Sequence, residues 1–279
     1  MTILITGGTG RTGGKLAQLL HAANQPVLIA SRSGVAPAPF KAVKFDWTDE
    51  KTFGNPFEAD SNIDKIYLVV PPIIDVFPVV KPFIDLALSK GVKRIVLCGS
   101  SSVEKGGPGP GKVFEYLVDS GADYVVLRPT WFIDNFGAAF LREIVEHDKI
   151  STAAGDGRIP FVGVDDIAKA AFDALVVKES PNTDYYVQGP KLYTHDEATA
   201  ILGEVLGRKI THERVTEEQA VVVFMAQGTP EHYAKIRAWL ATRVANGKEE
   251  VIFTSPKAIH GKTDLRDYFE ANKKLWAKE

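Results

Sequence analysis

Short apolar runs alternate with longer amphipathic stretches from the start of the chain. The runs "TILIT", "VLIAS", "IYLVV" and "RIVLC" are almost continuously apolar, the pattern of strands covered on both faces rather than of a sheet with one wet side. Between them, apolar positions recur at helical spacing. The alternation predicts strands at about 2–6, 27–31, 42–46, 65–70, 94–98 and 123–127, with helices at about 11–23, up to Gly91 and at about 111–120. Gly91 in "SKGVKR" and Gly121 in "DSGADY" stand where a left-handed residue ends a helix before the next strand. This order of elements gives an α/β fold with a doubly wound parallel sheet.

Beyond Arg128 the pattern loosens. It predicts a helix at about 133–146, a turn in "AAGDGRIP", a helix at about 165–177, a strand at about 184–188 returning to the sheet, a helix at about 195–206 and a charged, mostly helical tail. No second glycine fingerprint, internal repeat or linker interrupts the chain. The expected division is a first domain over about 1–150 and a smaller, mostly helical lobe over about 151–279, interleaved with the sheet, with a soft boundary.

Composition narrows the function classes. The 279 residues are 45% hydrophobic with a formal net charge of -2, so nothing marks a nucleic-acid or anionic-membrane surface. One cysteine, Cys98, excludes an internal disulfide, and six scattered histidines show no paired metal-ligand spacing. No apolar run nears the roughly 20 residues of a membrane helix, and no basic leader pattern precedes the first strand. A cytoplasmic protein without a metal is the expectation; the oligomeric state is not legible.

The chemistry is densest in "TGGTGRTGG", Thr6 to Gly14, where five of nine residues are glycine directly after a strand. Gly7, Gly10 and Gly13 are spaced for a sharp turn, a close backbone approach to a diphosphate and tight packing of helix on strand, with Thr9, Arg11 and Thr12 between them. The helix N-terminus offers free N–H groups to the anion. No Lys-Ser/Thr pair follows, so a P-loop is excluded. The second strand ends in Ser31 and Arg32 rather than an acid, which favours the 2'-phosphate of NADP over the free ribose of NAD. Asp46 and Trp47 close the third strand, either to hold adenine or, for Asp46, to cap a helix. Val70 and Pro71 end the fourth strand, either as a dry wall for ribose or nicotinamide or as a rigid exit.

Orthodox short-chain dehydrogenases, which the glycine spacing resembles, carry a serine and a Tyr-x-x-x-Lys pair. Here Ser100 lies in "CGSSS", and Tyr116 is followed four residues on by Ser120. That absence, with "TGGTGRTGG" and "VLRPTW", resembles the atypical NmrA-like branch. More narrowly, "ITGGTGRTGGKLAQLL", "IASRS", "VKFDW", "YLVVPP", "EKGGPG", "LRPTWFIDNF", "GDGRIPFVGVDDIA", "PNTDYYVQGP" and "VLGRKITH" occur in order and are similar to the fungal ergot-alkaloid reductases of the festuclavine synthase and agroclavine dehydrogenase type. The resemblance runs from residue 3 to about residue 212, with little to match beyond Thr216. It implies a Rossmann-type fold and NADPH-dependent reduction of a cyclic iminium in an indole alkaloid.

An iminium already carries its charge and accepts hydride without an acid, so a missing tyrosine is intelligible. Ser100, Tyr116 and Asp134 are the candidates for any proton transfer. Trp131, Phe132 and Phe136, with Asn135 as a polar handle and Phe161 further on, form a candidate wall for a planar or cationic substrate, or else seal the lobe. Pro129 and Ser100 join the nicotinamide end. Asp165 and Asp166 are expected to cap the helix after them, and Thr194 with Glu197 to form a capping box that leaves His195 in the cap region. "EKGGPGPGK" is expected to be a mobile loop, a lid or a plain connection. Two other functions fit the same residues: a redox-neutral cyclisation or rearrangement on a bound NADP, and a non-enzymatic NADP sensor.

Overall fold

The computed structural model describes residues 1–278 and holds ten strands: β1 Thr2–Thr6, β2 Val27–Ser31, β3 Lys41–Lys44, β4 Ile63–Val69, β5 Arg94–Cys98, β6 Asp123–Pro129, β7 Lys149–Thr152, β8 Thr183–Gln188, β9 Thr211–Arg214 and β10 Ala258–His260. The helices are α1 Arg11–Ala22, α2 Asn55–Ala59, α3 Phe77–Ser89, α4 Pro110–Asp119, α5 Leu141–His147, α6 Val164–Val176, α7 His195–Leu206, α8 Glu217–Ala226, α9 Glu231–Ala245, α10 Lys248–Phe253 and α11 Leu265–Ala271. Eight strands form one sheet in the order β10-β8-β6-β5-β4-β1-β2-β3, a Rossmann-like arrangement, with β7 and β9 paired separately. The strand expected near 184–188 does return to the sheet.

The chain divides into two compact units, Met1–Pro129 with Val164–Tyr185, and Thr130–Gly163 with Tyr186–Glu279. In the first unit both sheet faces are dry, as the continuous apolar runs require. Leu4, Leu28, Ile66, Leu68, Ile95 and Leu97 point to the face that carries Phe83 of α3 and Val113 and Leu117 of α4. The opposite parity, with Ile5, Ile29, Tyr67 and Val96, meets α1 and α6, which pack on each other. Arg94 is 3% exposed and donates to the carbonyls of Ala174 in the last turn of α6 and of Val177 and Lys178 just beyond it, while Lys65 donates to Leu175. Two cations thus satisfy the carbonyl end of one helix.

The second unit has its own core around Phe136, Phe140, Phe161, Phe269 and Trp276. It departs from the expected pattern in three places. A single helix at about 133–146 is not formed: a 3-10 turn, Ile133–Gly137, precedes α5, because the Asn135 carbonyl takes the N–H groups of both Ala138 and Phe140 and the chain turns there. The parallel pair β7 and β9 and the short edge strand β10 were not foreseen. Each is three or four residues long, too short for alternation to show. The capping box on α7 forms as expected, Thr194 Oγ1 accepting from Glu197 N–H at 3.1 Å and Glu197 from Thr194 N–H at 2.8 Å. Asp165 and Asp166 sit within the first turn of α6 rather than before it.

Candidate active site

In the first unit the parallel strands end together at one edge, and the glycine turn lies there. Gly7 is left-handed at φ +66, and a Cβ on Gly13 would stand 2.4 Å from the Gly7 carbonyl oxygen. Gly10 donates to that same oxygen at 2.9 Å, and as the residue before α1 it offers the helix no side-chain cap. A turn too tight for side chains, ending at an uncapped helix start, is a cradle fitted to a diphosphate. Gly7, Thr9, Gly10 and Arg11 are exposed, whereas Thr12 and Gly13 are buried beneath them.

At the end of β2 the Ser31 hydroxyl donates to the Val35 carbonyl at 2.9 Å, and the Ser31 carbonyl closes a tight turn to Gly34. Arg32 stands exposed on that turn. Asp46 accepts from the Thr48 N–H and hydroxyl at 2.9 and 2.8 Å; these bonds hold its carboxyl below the usual range, with the charges of Arg32 and Lys44 adding. The helix cap beside it is Asp49, whose carboxylate accepts from Lys51 N–H. Trp47 is partly exposed and set edge-on against Phe45, Phe53 and Phe83, at 4.8, 5.8 and 5.4 Å between ring centroids.

Further along the edge, Val70 is half-buried, Pro71 is buried, and Ser100 is partly exposed after β5 with its hydroxyl accepting from Ser102 N–H at 3.3 Å. The Pro129 carbonyl takes the Ser101 N–H at 2.9 Å. An organiser that sequence reasoning missed sits beneath: Arg128, 3% exposed, donates to Ser101 O at 3.2 Å and pairs with Asp184 and Glu104, each at 2.9 Å. The only hint in the chain was arginine inside "VLRPTW", and its partner lies 56 residues away. The loop "EKGGPGPGK" is folded on itself, Gly106 N–H to Gly111 O at 2.9 Å and Gly107 N–H to Glu104 O at 3.0 Å.

Tyr116, on α4, is partly exposed and is engaged with side chains of α3. It donates to Asp85 on α3, Lys81 lies 4.9 Å from its ring centroid, and Phe77 meets it edge-on. The Asp85 bond and partial burial raise its phenol above the ordinary value.

In the second unit Trp131, Phe140 and Phe161 surround His195 edge-on at 6.3, 6.1 and 5.5 Å between centroids. Phe136 is fully buried behind them, 5.6 Å from Phe161, and Trp131 and Phe132 are partly exposed. Asp134 and Asn135 are half-buried on the 3-10 turn. Burial holds the His195 imidazole down at about 3, helped by neighbouring His212, so the ring is neutral across the physiological range. His212 is also lowered by burial; its Nε2 lies 2.8 Å from Thr152 Oγ1 and its Nδ1 3.3 Å from Asp196. Two open clefts of about 550 and 670 Å³ on this unit are lined by none of the candidate residues. Among the described residues no cluster of three or more His, Cys, Asp or Glu is placed to hold a metal, and no helix is long and apolar enough to cross a membrane.

No family model matches the chain. It is 41% identical over 285 residues to agroclavine dehydrogenase of Claviceps fusiformis, covering 99% of both chains. It is 40% identical over 288 residues to festuclavine synthase II of Penicillium roqueforti, covering 99% of this chain and all of that one. Among solved structures, the Citrobacter sp. triphenylmethane reductase complexed with NADP(H) superposes with a TM-score of 0.79 at 25% identity, over 97% of this chain and 99% of that one. Identity of this order over the full length of both chains, with the fold and the glycine cradle in place, decides the matter: the chain belongs to the agroclavine dehydrogenase and festuclavine synthase family of oxidoreductases.

Proposed function

We propose that this protein is an NADPH-dependent reductase that transfers hydride to a cyclic iminium in an ergot-type indole alkaloid. The observation that carries the reading is the position of Tyr116. Its hydroxyl is spent on Asp85 of α3, and Ser120 stands where an orthodox enzyme has lysine. Reduction of a ketone needs a proton on oxygen as hydride arrives; an iminium needs none, only position and polarity.

Gly7, Thr9, Gly10, Arg11, Thr12 and Gly13 would hold the diphosphate, Ser31 and Arg32 the 2'-phosphate, Asp46 and Trp47 the adenine, and Val70, Pro71, Ser100 and Pro129 the nicotinamide end. The reduced nicotinamide, when bound, supplies the hydride. Trp131 and Phe132 offer aromatic surface to the alkaloid, Asn135 a polar contact, and Phe136 and Phe161 a rigid backing. The neutral His195 puts no positive charge among these rings, so a cationic ligand meets π-faces without repulsion. Support comes from the names of the full-length relatives and from the NADP(H) complex of the Citrobacter enzyme.

Tyr116→Phe tests the reading. Turnover of an iminium substrate should keep most of its rate and show no bell-shaped pH profile from an essential acid and base. Loss of turnover in that variant would mean that the phenol does proton chemistry, and a redox-neutral rearrangement or a carbonyl reduction would then explain the site better.

A further inference from the structure

Arg94 spends its buried guanidinium on the end of α6, but Arg128, buried to the same degree, turns its donors toward the candidate site. It stands next to last in β6. Its fork bonds Asp184 of β8 at 2.9 Å, the carbonyl oxygens of Ser101 and Ser100 at 3.2 and 3.5 Å, and Glu104 at 2.9 Å. The Asp184 side chain is 8% exposed, that of Glu104 56%. The backbone on either side of Arg128 holds the same segment: the Gly99 N–H donates to Leu127 O at 2.7 Å and the Ser101 N–H to Pro129 O at 2.9 Å. Ser100 and Pro129 therefore lie within one clamp.

Stability alone does not ask for this arrangement. A buried ion pair recovers little beyond the cost of taking its charges out of water, and apolar residues of the same volume often serve a fold as well. A guanidinium differs from them in being a rigid fork that keeps several acceptors at fixed mutual positions. Here the acceptors of Ser100, Ser101 and Glu104 belong to one turn, which the Val103 N–H closes on Ser100 O at 3.1 Å. Glu104 carries the hold into the glycine-rich loop. A Cβ at Gly107 or Gly111 would stand 2.9 or 2.4 Å from the Glu104 carbonyl oxygen, so the loop and the start of α4 close directly upon it.

We propose that Arg128 is a positioning residue for the nicotinamide half of the dinucleotide: anchored on Asp184, it sets the Ser100 to Glu104 turn against Pro129, and Glu104 extends that setting to the glycine-rich loop. This rests on the reading that Ser100 and Pro129 meet the nicotinamide end. The adenosine half would be held beyond β1 and β2, strands that β6 does not neighbour, so the two halves of the cofactor should respond differently when the clamp is loosened.

Titration of the full chain with NADP+ and with adenosine 2',5'-bisphosphate, which keeps the 2'-phosphate and lacks the nicotinamide, tests the proposal, beside thermal unfolding of the ligand-free protein. Arg128→Lys keeps a cation against Asp184 and loses the fork. It should raise the Kd for NADP+ by about fivefold to tenfold, as for the loss of one hydrogen bond, and leave that for the bisphosphate unchanged. Glu104→Ala alters an exposed arm, so it serves even where the lysine variant does not fold; it should show the same selectivity with a smaller loss, about twofold to fourfold. A role in packing alone would lower the melting temperature without separating the two ligands. In a folded variant, unchanged affinity for NADP+, or equal losses for both ligands, would overturn the proposal. Ser100→Phe separates it from the reading on which it rests: if that bulk leaves NADP+ binding intact, the nicotinamide end lies elsewhere, whereas a selective loss of NADP+ there beside an unaffected Arg128→Lys removes only the role of Arg128.

Discussion

Arg32 lies exposed just beyond the carboxyl end of β2, and in the function proposed above its guanidinium is the group that tells one dinucleotide from another. The turn that carries it is fixed by Ser31, whose hydroxyl bonds Val35 and whose carbonyl takes Gly34 and Phe45 N–H groups. A bond from Arg32 to a 2'-phosphate would be charge-assisted and absent from NADH. Arg32→Ala should therefore raise the Kd for NADPH roughly tenfold to a hundredfold and leave that for NADH nearly unchanged; equal losses in paired titrations would remove Arg32 from the site. At this scale the sequence was most readable where spacing alone decides conformation. The Gly7, Gly10 and Gly13 spacing specified a turn that the backbone does adopt, down to the 2.4 Å left for a Cβ at Gly13. Tyr116 was legible as a departure from Tyr-x-x-x-Lys, but its tie to Asp85 was not, because the partners lie 31 residues apart on different helices.

Among the elements, helix α7 shows what local signals can and cannot say. Its capping box was written in Thr194 and Glu197, and it forms. That His195, the next residue, would point into an aromatic core was not written there, since Trp131, Phe140 and Phe161 come from elsewhere in the chain. The consequence is measurable. An imidazole at about 6.5 in the unfolded chain and about 3 in the fold means that the unfolded state binds the extra proton between those values. Its contribution to stability is complete above pH 6.5 and is lost as pH falls, by about 2 kcal/mol at pH 5; His212, lowered in the same direction, adds to the loss. His195→Gln, which does not titrate, should flatten the dependence of denaturant-unfolding free energy between pH 7 and pH 5, and an unaltered slope would show that His195 is not the titrating group. The same remoteness hid the Arg128 hub with Asp184 and Glu104, whereas the β7 and β9 pair was hidden by the shortness of its strands.

For the whole molecule, the continuous apolar strands and the glycine turn were enough to specify a doubly wound sheet with a nucleotide cradle, since both faces of each central strand had to be buried. The division into units was harder to read. Val164–Tyr185 belongs with the first unit and Thr130–Gly163 with the second, and such an exchange leaves no linker in the sequence. On the proposed reading, the cofactor held at the cradle passes hydride to a carbon that needs no acid. The direct measurement is turnover of a cyclic iminium alkaloid with NADPH deuterated at C4, each face in turn, following nicotinamide absorbance and product mass together. Loss of one NADPH per product, with deuterium carried into the alkaloid from one face only, is the predicted result. Product formed without loss of NADPH or uptake of deuterium would contradict the account.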